Sequence, residues 1–133
     1  MRAVFNSVLL VGLALTAHAA PPSQRQVLKY EPAVVQLAGT MIAAEGRTDG
    51  DEKITFPALA LKAAVQIEAA PDDDLNVFED NVSVVQLVLI DPAQMQQYRS
   101  LLGRPVVVTG TLFHAHTGHH HTKVLINVQK IAR

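Results

Sequence analysis

The chain has 133 residues, 49% of them hydrophobic and 17% charged, a formal net charge of -1 and no cysteine. That is enough for one domain and short of two, and it excludes a disulfide scaffold, a cysteine nucleophile and a thiolate metal site. The near-neutral balance argues against a surface that neutralises phosphates, so no nucleic-acid partner is expected.

The first element is an export signal. Arg2 precedes an apolar run from Val8 to Leu15, too short to cross a bilayer, which takes about 20 residues. Ala17 and Ala19 place small residues where a signal peptidase reads. Residues 1–19 are therefore expected to be a secretory signal peptide cleaved after Ala19, which directs the chain to the periplasm or out of the cell. No cysteine follows it, so no lipid-bearing membrane anchor is expected. Residues 20–30 are polar and proline-bearing and read as a flexible lead-in, with a single β-barrel domain over 31–133.

Within that domain Val35, Leu37, Gly39, Met41 and Ala43 alternate as one face of a strand. Glu45 to Glu52 reads as a polar loop. A second strand is expected within Ile54 to Leu61, interrupted or edged by Pro57, with Val65 to Glu68 continuing it after a turn. Pro71 to Asp74 reads as a solvated acidic loop rather than a calcium loop, because it lacks the glycine and terminal glutamate of an EF-hand. Val82 to Ile90, a nearly continuous β-branched and leucine run, reads as a strand buried on both faces. Asp91 and Pro92 supply a helix N-cap and first residue, Met95, Tyr98 and Leu102 an apolar stripe with Leu101 beside it, and Gly103 the stop. Two more strands follow, Pro105 to Phe113 and Lys123 to Ile131. Three strands, a short helix and two strands predict a mainly β fold, a small Greek-key barrel of the oligonucleotide/oligosaccharide-binding (OB) type with its helix between strands three and four.

The specific chemistry lies in one segment. Of six histidines, five fall between His114 and His121. Pairing the apolar sides of the last two strands puts Leu112 opposite Val124, His114 opposite Thr122 and His116 opposite His120, closed by the loop Thr117-Gly118-His119. In that register His114, His116 and His120 share a face, and three imidazoles can hold a metal with an open fourth position. His119 and His121 are the alternate ligands, and zinc, copper or nickel would suit the nitrogen-rich set. The competing reading has no metal: a polar turn, or an imidazole plugging the barrel, in an interaction module for a protein, glycan or envelope partner. No general base is paired with a nucleophile near the cluster, so the reading favours a binding module over an enzyme.

Tyr30-Glu31-Pro32-Ala33-Val34-Val35, Pro71 to Val77, Val85 to Leu89, and above all Gly110-Thr111-Leu112-Phe113-His114-Ala115-His116-Thr117-Gly118-His119-His120-His121-Thr122 resemble a family of small exported bacterial proteins catalogued as a domain of unknown function. The resemblance covers nearly all of the chain after residue 19. It implies a Gram-negative periplasmic or secreted location and no particular activity. Members of that family carry a tryptophan-containing second strand followed by Pro-Ile-Cys-Val. This chain has Ala58-Leu59-Ala60-Leu61-Lys62-Ala63-Ala64-Val65 there, while the histidine segment is intact.

Overall fold

The structure, a computed structural model, describes residues 21–133; the expected signal peptide lies outside the described residues. The fold is mainly β, with strands β1 (Val27–Lys29), β2 (Val34–Arg47), β3 (Lys53–Glu68), β4 (Glu79–Val88), β5 (Pro105–His114) and β6 (Val124–Ala132), and one short helix, α1 (Pro92–Ser100), between β4 and β5. The strands form one sheet in the order β1-β3-β2-β5-β6-β4, and β3 pairs additionally with β4. The pairs are antiparallel except β1 with β3 and β4 with β6.

Alternation sets the inward face of β2: Val35, Leu37, Gly39 and Met41 are buried while the residues between them are not. Gly39 sits where β2 is paired on both edges, to Leu61 of β3 and Val106 of β5. A Cβ there would strike the Ala60 carbonyl, and one at Gly110 would strike the Asn127 carbonyl. The two glycines thus permit close backbone approach where the strands are most crowded. The expected loop after Ala44 begins later, because β2 runs on to Arg47 in its ladder with β3.

Three further expectations are corrected. The lead-in 20–30 contains β1, which pairs with Gln66, Ile67 and Glu68 and buries Leu28; that apolar contact is too short to register as periodicity. The two pieces expected on either side of a turn form the single strand β3, whose pairing with β4 shifts register between Ala60 and Val65. A bulge absorbs the irregularity without breaking the strand, and β4 joins only from Ala58, one residue past Pro57. Finally, β4 is not buried throughout: Val82, Val85 and Leu87 are buried, while Asn81 and Ser83 are exposed.

The helix follows its signals. The Asp91 carboxylate accepts a hydrogen bond from Gln94 N–H at 2.8 Å, and Gly103 takes a left-handed φ of 77° past the end. Its buried contacts are Tyr98 and Leu101, while Leu102, expected in the stripe, is exposed. The helix unwinds at Leu101, so 3.6-residue spacing no longer governs Leu102. Tyr98 O–H donates to Ile42 O at 3.0 Å, and Gln94 and Gln97 donate to Val128 O and Ile131 O, both at 2.9 Å. These bonds fix α1 against β2 and β6.

Candidate functional site

The histidine segment begins where the β5–β6 ladder ends. From Gly110 to His114 parity follows the apolar pattern, even with even, but the register differs by two residues from the expected one: Leu112 faces Ile126 and His114 faces Val124. A two-residue slip keeps every side chain on its face, so hydrophobic alternation alone cannot choose between the two registers. Packing chooses, since Leu112, Val124, Leu125 and Ile126 are all fully buried in the observed pairing. The three-residue loop is therefore corrected to a longer connection, residues 115–123, and the histidines after His114 lie in it rather than in a ladder.

Side chains and backbone groups build this loop together. Ala115 N–H donates to Lys123 O at 2.9 Å and His120 N–H to Thr117 O at 3.1 Å. His120 Nδ1 accepts from His116 N–H at 3.0 Å and from Thr117 N–H at 3.3 Å. Gln86 of β4 clamps the far side: its Oε1 accepts from His121 N–H at 2.7 Å and its Nε2 donates to His119 O at 3.1 Å. The β2–β3 turn lies against the same loop. A Cβ on Gly118 would stand 2.8 Å from Asp49 Oδ2, and His121 stacks on Phe56 of β3 with ring centroids 5.0 Å apart.

The five imidazoles have different partners. His114 Nε2 meets Glu79 Oε1 at 2.9 Å and its Nδ1 meets Ala115 O at 3.0 Å. Both ring nitrogens of His114 are thus engaged with acceptor oxygens. His116 Nδ1 meets His114 O at 3.1 Å and must donate, which leaves Nε2 as the acceptor of a neutral ring. His120 is the reverse: with Nδ1 accepting two backbone N–H groups, its neutral ring carries the proton on Nε2. The pair expected across the strands does meet, with His116 and His120 centroids 4.8 Å apart and Phe113 at 6.0 and 5.3 Å from them. His114 points instead to Glu79, His121 to Phe56, and His119 is exposed. Among the described residues, no group of three or more His, Asp or Glu side chains is placed to hold a metal ion.

Electrostatics follow burial. Desolvation, then the imidazoles of His116, His119 and His121, holds the His120 ring below its ordinary pKa. Burial, and secondarily the Glu79 charge, pushes the Tyr30 phenol up to about 12; its O–H donates to Val77 O at 2.6 Å. Phe113, His116 and His120 line an open depression of about 340 Å³ with Glu31, Thr117 and Asn127.

Several of these residues carry no sequence signal. Glu79, at the start of β4, receives His114 and, at 3.8 Å, the Lys123 ammonium. Asn76, 4% exposed, accepts from His114 N–H at 2.9 Å and donates to Asp73 Oδ2 at 2.9 Å. Asp73 caps the turn before it by accepting from Leu75 N–H at 2.9 Å.

Residues 84–132, which run from β4 through the histidine loop to β6, match a domain of unknown function (DUF4431). That match bears out, over those residues, the resemblance to a domain of unknown function. No curated protein matches the chain.

Proposed function

From that match, which carries no activity with it, we propose that the chain is an exported binding module. In this reading β2 to β6 close into a small OB-like Greek-key barrel. The β3–β4 pairing, the parallel β4–β6 pair and the helix between β4 and β5 support it. Modules of this type present the loops between their first two and last two strands to a ligand. Here these are the β2–β3 turn and the histidine loop, which touch at Asp49 and Gly118. The contact face takes a protein, glycan or other envelope partner without a resident metal.

One observation carries the metal-free form: His114 spends both ring nitrogens on Glu79 and Ala115, and His120 spends Nδ1 on backbone N–H groups. The reading is tested by placing a photo-cross-linking residue at His119 and, separately, at Lys130 in the exported protein. A discrete adduct in the envelope fraction from position 119 and none from position 130 is expected. Adducts from both positions, or from neither, would overturn it.

A second reading has one observation in its favour. His116 donates Nδ1–H to a carbonyl and keeps Nε2 free, the orientation that metal-bound imidazoles adopt. Calorimetric titration with zinc, copper and nickel, against a His114→Ala/His116→Ala variant, decides. The metal-free form expects no binding tighter than about millimolar; micromolar binding abolished in the variant would establish the metal instead.

A further inference from the structure

We propose that the depression between Glu31 and the Phe113/His116/His120 rings binds the ammonium group of an organic amine. The proposal rests on the reading of this end of the chain as the contact face and names the chemistry of what that face receives.

The lining holds one full charge, Glu31, and neither lysine nor arginine. Glu31 is exposed, and its backbone is fixed: its N–H donates to Leu112 O at 2.8 Å and Tyr30 beside it is buried. An anion would meet repulsion there and a cation attraction. The three rings approach one another edge to face at 4.8 to 6.0 Å, and aromatic walls attract a cation through the ring quadrupole. Both imidazoles are held by backbone partners before any ligand arrives, so little side-chain freedom is lost on binding.

Hydrogen-bond roles favour an amine over a metal. A primary ammonium brings three N–H donors and no acceptor. The residues that line it carry acceptor groups: Glu31 a carboxylate, His116 the Nε2 left free by its Nδ1 bond, Thr117 a hydroxyl and Asn127 an amide carbonyl. A metal would find only His116 and Glu31, because His120 Nδ1 already accepts from His116 and Thr117 N–H; a zinc site takes at least three protein ligands. Burial and neighbouring imidazoles favour the uncharged His120 ring, which spares the incoming cation a like charge. The volume, about 340 Å³, suits a side-chain-sized group.

The test is a ¹⁵N–¹H titration of the chain from Ala20 onward, at neutral pH, with Nα-acetyl-lysinamide. The expected result is saturable shifts at Glu31, Phe113, His116, Thr117 and His120 with a Kd of about a millimolar. The neutral probe Nα,Nε-diacetyl-lysinamide is expected to give no saturable shift. Glu31→Gln, at an exposed position and with unchanged thermal unfolding, is expected to weaken binding about threefold. Equal shifts from the neutral probe, shifts centred elsewhere, an unaffected Glu31→Gln variant, or micromolar zinc binding at the same residues would each overturn the proposal. Failure of the amine titration with the position-119 adduct retained removes this inference alone; loss of that adduct removes the binding-module reading as well.

Discussion

The two halves of the β5–β6 unit are held in different ways. In the ladder, from Val107–Ala132 to His114–Val124, backbone bonds repeat and alternate side chains enter a common core. In the connecting residues 115–123 the backbone makes few bonds to itself, and the His120 side chain of the loop and Gln86 of β4 supply others. A ladder is specified by a repeated pattern that tolerates local change. The loop depends on single side chains, each with its own partner. The first arrangement gives a firm platform and the second a surface of defined shape, which is what a binding module needs.

Breaking the platform should cost most. Leu112 is fully buried, and Leu112→Ala is expected to destabilise the whole domain by about 3 kcal/mol in urea unfolding. A loss below about 1 kcal/mol would mean that β5 is not the firm half. Asn76 comes next, since Asn76→Ala leaves the part-buried His114 N–H without its acceptor. About 2 kcal/mol is expected, together with faster amide exchange across 114–121; unchanged exchange would show that the loop does not depend on this anchor.

Acid should act on the loop through His120. Its folded pKa lies below the unfolded value, first through burial and then through the neighbouring imidazoles. The unfolded chain therefore takes the proton first as pH falls. The stabilisation is complete above about pH 6.5 and is lost as pH falls through the folded value. Protonation also removes the Nδ1 acceptor of the His116 and Thr117 N–H groups. His120→Asn keeps an acceptor that does not titrate. Its thermal midpoint is expected to lie below that of the parent at pH 7.5, by about 1 kcal/mol in stability, with the gap narrowing at pH 5. A constant gap would remove His120 from the pH response. The smallest effect is expected at His119, whose ring is exposed: His119→Ala should change stability by less than about 0.5 kcal/mol. A larger loss would show that this ring is part of the loop's framework.

The same contrast explains what could be read from the chain beforehand. The buried faces of β2 and β5, the Asp91 cap and the Gly103 stop were legible because each rests on residues close in sequence. The short strand β1 was not, because one buried leucine leaves no period to detect. At the candidate site the meeting of His116 and His120 was anticipated, but for a ladder that does not extend that far. Glu79, Asn76 and Gln86 gave no warning of their part in it, because their partners at His114, His119 and His121 lie far along the chain.

By itself, then, the sequence determined that this is a β-rich chain with one capped helix, and it determined which side of β5 and β6 faces inward, because side-chain alternation needs only near neighbours. Tertiary structure alone decided the two-residue choice of register, the continuity of β3 through its bulge and the course of the histidine loop. The partners of His114 and of the loop that follows it lie 33 to 38 residues away, at Glu79, Asn76 and Gln86, and no local period records contacts at such separations.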